Sequence, residues 1–261
     1  MDKNKLTNFR IGFALHGYEN DILSWLRLTT NSYEVSNYSL KSVSYDIDYN
    51  KLQRKSLKTF YKIIEEDPIY PVDKLYSFTV FSGEKQKYPF TWHYGCRFDE
   101  PGKRLTLFFD SSYGEENILS FYNEFLKTLL KDRTIWGGYL FFQEKYWHYP
   151  SGGGNFSGLS QNFYKEDSDS WWKIWNSENG LGILNKKNQN LYRHIYKQNI
   201  LSKHHMAEMF DGMLLVDWIE KNNYGTIKKI GMENWLWVVP EDKLYEIQVI
   251  FYNKKLLLGV N

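Results

Sequence analysis

The spacing of apolar residues along the chain predicts two amphipathic helices in its first half. One covers residues 113–131, where apolar positions recur every three or four residues and therefore share one face. These positions are Ile118, Phe121, Tyr122, Phe125, Leu126 and Leu129. Ser112 and Glu115 have the spacing of a capping box, which would satisfy free backbone amides of the first turn. The other helix covers residues 51–66 and is stopped by Pro68. Its stripe consists of Leu57, Phe60, Tyr61 and Ile64.

Between these helices, aromatic and β-branched segments predict strands. Residues 75–82, 88–98 and 103–110 are separated by turn residues, Gly83 and the Pro101-Gly102 pair, and so predict an antiparallel meander. The remaining elements of this half are strands over 8–16 and 135–143, a helix over 18–29 and an extended segment over 38–48. Together they predict an α+β fold, with amphipathic helices packed on a mostly antiparallel central sheet, in a single compact domain over 1–261.

The last quarter of the chain is predicted to consist of helical pieces around one strand. The helices are expected over 188–197, 203–209 and 213–221, and the strand over 234–239. Pro240 suits the first turn of a further helix that continues to about residue 253. Glu241 and Asp242 suit the positive end of its dipole.

A long loop is predicted over residues 144–170. Loops of this length in compact domains are often functional, and an internal domain boundary would fall here. The run Gly152-Gly153-Gly154 lies within it, but a phosphate-binding loop would need a preceding strand and a following Lys-Ser/Thr, and neither is present.

Composition narrows the class of protein. Of the 261 residues, 33 are Lys or Arg and 31 are Asp or Glu, so the net charge of +2 argues against direct nucleic-acid binding. Cys96 is the only cysteine, which excludes an internal disulfide and favours a reducing compartment. No apolar run has the length of a signal peptide or a membrane span. These features predict a soluble cytoplasmic protein without membrane contact.

The candidate catalytic groups do not form a recognisable motif. Adjacent His204 and His205 would point about 100° apart on a helix and so would not readily share a metal ion. Cys96 and His93 would project from opposite faces of a strand, which favours a buried thiol. Asp110 follows a strand but has no spaced second acid. We therefore expect no catalytic residue, no metal and no cofactor, while a hydrolase using His204, His205 or Asp110 stays an alternative.

Aromatic residues make up 18% of the chain and are expected to fill the core and the sheet. The alternative is a ligand-binding module whose rings stack on sugars or bases. The densest cluster, Trp171-Trp172 and Trp175, follows the acidic residues Glu166, Asp167 and Asp169. An aromatic residue with an acidic rim is typical of a protein-binding hot spot, although a helix docked on the sheet would also explain it.

The C-terminal quarter resembles a bacterial immunity-protein family that accompanies polymorphic and type VI secretion toxins. The resemblance rests on Leu191, Arg193, Ile195, Tyr196, Asn199-Ile200-Leu201-Ser202, Gly212, Leu215, Trp218-Ile219, Gly225-Thr226-Ile227 and Trp237-Val238-Val239-Pro240-Glu241. The chain departs from the family at Lys197, where a proline is usual, and at Asp211, where a glycine pair begins. The matched residues are mostly apolar residues, glycine and proline, and so are expected to determine the fold.

The resemblance implies a stoichiometric inhibitor, without enzymatic activity, that binds and neutralises a cognate secreted toxin. The family association suggests a nuclease as that toxin. The residues expected to contact it are the acidic and aromatic cluster Glu166, Asp167, Asp169, Trp171, Trp172 and Trp175. An acidic loop would meet a basic nuclease cleft and favour fast association.

Overall fold

The fold is a ten-stranded antiparallel sheet with helices packed on it. The computed structural model describes residues 9–17, 22–47, 51–66, 75–83, 93–99, 104–144, 190–192 and 194–257. The strands are β1 (Phe9–His16), β2 (Ser42–Ile47), β3 (Lys51–Ser56), β4 (Leu75–Phe81), β5 (Tyr94–Asp99), β6 (Arg104–Asp110), β7 (Gly137–Glu144), β8 (Gln198–Ser202), β9 (Met209–Phe210), β10 (Met213–Leu214), β11 (Thr226–Lys229) and β12 (Asn234–Val238). The helices are α1 (Ile22–Val35), α2 (Leu57–Glu66), α3 (Glu115–Leu129), α4 (Lys203–Met206), α5 (Leu215–Lys221) and α6 (Leu244–Asn253).

The strand order of the large sheet is β11-β12-β8-β7-β1-β6-β5-β4-β2-β3, and β9 and β10 form a separate hairpin. The predicted α+β class is confirmed, and the predicted meander is confirmed as the adjacent strands β4, β5 and β6. The prediction of one domain over 1–261 stays a prediction. No helix among the described residues is long and apolar enough to cross a membrane.

Alternating residues of the central strands build the larger of two cores. Phe13 of β1 and Phe109 of β6 face α1 and α3, and both side chains are fully buried. The Tyr122 hydroxyl of α3 donates to the Ile11 carbonyl at 2.7 Å, which fixes that helix on β1. Tyr33 of α1 stacks on Phe109 at 5.4 Å. These rings act as core residues, as expected of an aromatic-rich sheet protein.

The described tryptophan and tyrosine rings are mostly buried or half-buried. Tyr245 and Tyr252 on α6 are the exposed exceptions among them. Within the described part of the chain there is therefore no row of exposed rings of the kind that a stacking surface for sugars or bases needs.

Two predictions about helix starts in the first half are wrong. Residues 51–56 form strand β3 rather than the first turns of a helix, because they pair with β2 along its whole length. Helix α2 begins only at Leu57, and Ser56 caps it by accepting from the Thr59 amide at 3.1 Å. Ser112 does not cap α3, since its own amide donates to the Asp110 carboxylate at 3.0 Å in a preceding 3₁₀ turn.

The last quarter contains more strand than predicted. The described residues of 188–197 are not helical, and the chain then enters strand β8. Asn199 explains this, because its buried side chain accepts from the Tyr196 amide at 3.0 Å and donates to the Tyr196 carbonyl at 2.7 Å. That local pairing holds the turn that leads into β8 and competes with a helix. Strand β11 was not predicted either.

A second core lies beneath β8, β12 and the last two helices. Its buried members include Ile195, Leu201, Phe210, Leu215, Trp218, Ile219, Trp237, Val239, Ile247 and Phe251. Many of them belong to the set on which the family resemblance rests, and these act as core residues. That the whole set determines the fold stays a prediction. The Trp237 indole is fully buried and donates to the Tyr224 carbonyl at 2.9 Å.

Asn234 joins the two cores. Strand β8 pairs with β7 through three residue pairs, from Gly137–Leu201 to Tyr139–Asn199. The buried Asn234 side chain accepts from the Ile135 amide at 3.3 Å and donates to the Ile135 carbonyl at 2.9 Å and to the Leu201 carbonyl at 3.2 Å. A single side chain therefore connects the segment before β7 with both β8 and β12.

Candidate protein-binding site

The six residues predicted to contact a toxin lie outside the described residues. They are Glu166, Asp167, Asp169, Trp171, Trp172 and Trp175. The long loop predicted over 144–170 and its glycine run lie outside them as well, apart from residue 144 at the end of β7.

Asp110 and the two histidines are not brought together. Asp110 ends β6, where its buried carboxylate accepts from the Ser112 amide. His205 follows β8, which lies three strands away from β6 in the sheet. The strand register places Leu201 of β8 level with Arg104, which is at the opposite end of β6 from Asp110. Along the strands alone, this separates the groups by about 20 Å. No single site can use both.

His204 and His205 have opposite environments, so the prediction that they point apart is confirmed. His204 is exposed, whereas His205 is buried. The His205 Nδ1 accepts from the Ser202 amide at 3.1 Å and lies 2.9 Å from the Ser202 hydroxyl, and its Nε2 lies 3.4 Å from the Leu191 carbonyl. His205 therefore closes the start of α4. In the described part of the chain, no three His, Cys, Asp or Glu residues are grouped so as to hold a metal ion.

The free energy of unfolding is expected to decrease as the pH is lowered, because His205 is buried. Burial lowers its pKa to about 4, from 6.5. The unfolded chain takes up this proton first, so stability is fully present above pH 6.5 and is lost as the pH falls towards 4. Between pH 7 and pH 5 the loss should be about 2 kcal/mol in the free energy of unfolding.

Urea unfolding of the His205→Asn variant at the two pH values tests this expectation. The asparagine oxygen can occupy the position of Nδ1 and accept from Ser202 without titrating, so most of the acid loss should disappear. His204→Asn, a change of the same kind at the exposed neighbour, should keep the wild-type loss. An equal loss in both variants would assign the acid sensitivity to other groups.

Cys96 is a core residue of β5. Its side chain is fully buried, and burial raises the pKa of its thiol. His93, three residues earlier, is exposed and lies with its Nδ1 3.9 Å from the Asp110 carboxylate. The prediction of a buried thiol is confirmed.

The β9–β10 hairpin is one of the described elements around the second core that present apolar groups to solvent, together with β12 and α6. Asp211 and Gly212 form its two-residue turn, with φ of 52° and 82°, the combination that a type I′ turn requires. Phe210 packs inward on Trp218 at 4.6 Å between ring centroids. On the opposite side, Met209 and Leu214 pair with each other and are 55% and 44% exposed.

Charged side chains of both signs surround the hairpin, with Lys254 and Lys221 close to Asp211. The Asp211 carboxylate binds the Lys254 ammonium at 3.0 Å, and this contact lowers the pKa of Asp211. Glu208 directly precedes β9 and accepts from the Asn190 amide at 2.6 Å, and exposed Asp217 lies in the first turn of α5. We use the name hairpin face for Met209 and Leu214 together with Glu208, Asp211 and Asp217. An apolar centre with a polar rim is the usual anatomy of a protein interface.

The sequence-based reasoning missed this hairpin. It placed helices over 203–209 and 213–221 with no hairpin between them, whereas α4 and α5 are shorter and leave room for β9 and β10. The signal was present, because an Asp-Gly pair flanked by apolar residues is a strong short-range indicator of a hairpin.

No family model and no curated protein matches the sequence. Among solved structures the chain is similar to the Pseudomonas aeruginosa T6SS protein PA0821, with 11% sequence identity and a TM-score of 0.48 over 88% of this chain. The match covers 65% of that protein, so this chain spans less than two thirds of its length. A likeness at this level carries no argument about function.

Proposed function

We propose that this chain is an immunity protein that binds a cognate secreted bacterial toxin and neutralises it in a stoichiometric complex. The observation that carries the proposal is the hairpin face. Met209 and Leu214 contribute apolar surface to solvent at a position where polar side chains would serve the fold equally well. Burial of that surface against a protein partner is favourable, and methionine adapts its shape to such contacts.

The hairpin lies within the segment that resembles the immunity family. Leu215 and Trp218 belong to that resemblance, and both are buried in the second core directly behind the hairpin. The ring of Phe210 is held between Trp218 and Phe251, at 4.6 and 5.0 Å. These ring contacts fix the inward side of the hairpin on the second core. Its outward side chains are therefore presented to solvent on a well-packed support, which suits a binding function.

The acidic residues of the hairpin face favour a basic partner such as a nuclease. Glu208 and Asp217 would attract a positively charged surface and accelerate association at low salt, whereas the charge of Asp211 is already paired with Lys254. In this proposal the complex forms in the cytoplasm, which suits a chain whose only cysteine is a buried thiol. The acidic and aromatic residues of 166–175 are also proposed to contact the toxin.

The proposal predicts that this chain protects cells from a toxin encoded beside its gene, and that the hairpin face carries the binding. Replacing both Met209 and Leu214 with aspartate should weaken the purified complex about 1000-fold, because hot-spot side chains cost about 2 kcal/mol or more each in binding free energy when lost, and each 1.4 kcal/mol is tenfold in affinity. The melting temperature of the free chain should change little, since both side chains face solvent.

Isothermal titration with the toxin domain and a co-expression survival assay measure these effects. Val35→Asp is the matched control, because Val35 is 84% exposed on α1, in the other half of the fold. If the wild-type chain gave no protection, the immunity proposal would be wrong. If the wild-type chain protected cells but the double variant bound the toxin with the same affinity, the toxin would contact a surface other than the hairpin face.

A further inference from the structure

A polar groove with an apolar base lies between α1 and α2, at the opposite end of the sheet from the hairpin face. Its volume is about 870 Å³, which is within the range of ligand-binding clefts. Arg27 and Glu34 contribute to the α1 wall, and Lys58 and Lys62 to the α2 wall. Helix α2 has 10 residues and is therefore about 15 Å long, a length that about five residues of extended chain would span.

The base of the groove offers a hydrogen-bond acceptor between apolar side chains. The Thr30 hydroxyl lies 2.9 Å from the Leu26 carbonyl and 2.7 Å from the Tyr61 hydroxyl, and either hydroxyl of the second pair can be the donor. In both arrangements the Tyr61 oxygen keeps at least one lone pair for a ligand donor. Leu40 and Leu57, both half-buried, line the groove beside it. A backbone N–H followed by an apolar side chain fits this arrangement, and a phosphate backbone supplies neither.

The rim is basic. Four cationic residues line the groove against two acidic ones, Glu34 and Glu65, which leaves a net charge of +2. The cations are Arg27, Lys41, Lys58 and Lys62. The whole stretch 51–62 contains five Lys or Arg and no acidic residue, although the chain overall carries only +2. The lining of the groove therefore carries a local excess of basic charge.

The existing ion pairs across and beside the groove are weak enough to be exchanged. The Arg27 guanidinium lies 3.7 Å from the Glu65 carboxylate, and both side chains are more than 60% exposed. Lys62 and Glu66 lie 3.3 Å apart and are more exposed still. Exposed pairs of this kind contribute about 0–1 kcal/mol, so a ligand carboxylate can replace Glu65 at Arg27.

We propose that the α1–α2 groove binds an extended acidic peptide segment of a protein partner, with an apolar side chain on the base and carboxylates on the basic rim. Its backbone N–H donates to the Tyr61 oxygen. This second binding site is separate from the hairpin face and does not depend on the immunity proposal.

Fluorescence anisotropy with the whole chain tests the site. The probe is a labelled peptide of alternating glutamate and leucine, about eight residues long, which should bind and weaken as salt is added. Replacing both Lys58 and Lys62 with glutamate should reduce its affinity about tenfold or more. Glu65→Gln removes the carboxylate that pairs with Arg27 and should tighten peptide binding. Tyr61→Phe removes the hydroxyl oxygen that accepts from the peptide backbone and should weaken peptide binding.

The matched control replaces Lys131 and Lys228 with glutamate, which makes the same charge change at exposed positions outside the groove. This variant should bind the peptide as the wild type does. If both double variants bound the peptide equally weakly, the effect would come from the overall charge of the protein, and the proposed groove site would be wrong. A single-stranded oligonucleotide that bound more tightly than the peptide would overturn it in favour of nucleic acid. Neither result bears on toxin binding by the hairpin face.

Discussion

Replacing Gly225 with alanine is expected to cost about 4 kcal/mol of unfolding free energy and to disrupt the second core. Gly225 has a φ of 107°, which L-residues rarely adopt, and this strain costs about 1–3 kcal/mol. An added Cβ would also lie 2.0 Å from the Val238 carbonyl oxygen and 3.0 Å from Pro240 Cδ. Such overpacking costs about as much again.

The backbone around Gly225 has no room to relax. Val238 pairs with Thr226 across β11 and β12, and the next amide, that of Val239, donates to the Lys197 carbonyl at 2.9 Å. A shift of the Val238 carbonyl would therefore break contacts with two neighbouring segments. The family resemblance includes Gly225, and this close approach is the physical reason for a glycine there.

Gly212→Ala is the matched control for Gly225→Ala. Gly212 also has a positive φ, 82°, but an added Cβ would meet nothing within 4 Å. Only the backbone strain remains, which is about 1 kcal/mol. Denaturant unfolding of the two variants separates strain from close contact, and equal losses would show that the Val238 contact is not the cause.

Asn234→Ala is expected to lower the free energy of unfolding by about 3 kcal/mol, because it leaves buried backbone groups without their hydrogen-bond partner. The Ile135 amide and carbonyl would lose the Asn234 side chain, and so would the Leu201 carbonyl. The loss falls where β8 and β7 share only three residue pairs. Amide hydrogen exchange should therefore accelerate in β8 and β12 more than in β1 and β6.

Asn222→Ala provides the comparison for this variant. The Asn222 side chain donates to the Trp218 carbonyl at 2.8 Å, within a helix end that is exposed to water. Its loss should cost about 0.5 kcal/mol, since water can replace the asparagine. Similar stabilities and exchange rates for the two variants would show that Asn234 does not connect the two cores.

The elements that sequence reasoning predicted correctly are those with a strong internal period. The stripe of α3 is visible in the sequence because the helix buries one regular set of side chains. Strand β3 could not be found in this way. Lys51-Leu52-Gln53-Arg54-Lys55-Ser56 contains one apolar residue among good helix formers, and only its pairing with β2 makes it a strand.

The candidate site was harder to predict for a related reason. An apolar residue in a sequence is normally assigned to the core, so Met209 and Leu214 could not be distinguished from Phe210 and Met213. The distinction appears only when the type I′ turn sets the register of the hairpin and divides its four apolar residues between two faces. The acidic and aromatic cluster of 166–175 stays a prediction.

The alternation in the hairpin also bears on how such a protein could change partners over time. Phe210 and Met213 face the second core and are constrained by its packing, whereas Met209 and Leu214 are free of that constraint. Substitutions at the two outward positions are therefore expected to alter the proposed binding surface at little cost to folding. A lineage could drift at these positions from one specificity to the next without passing through unfolded intermediates.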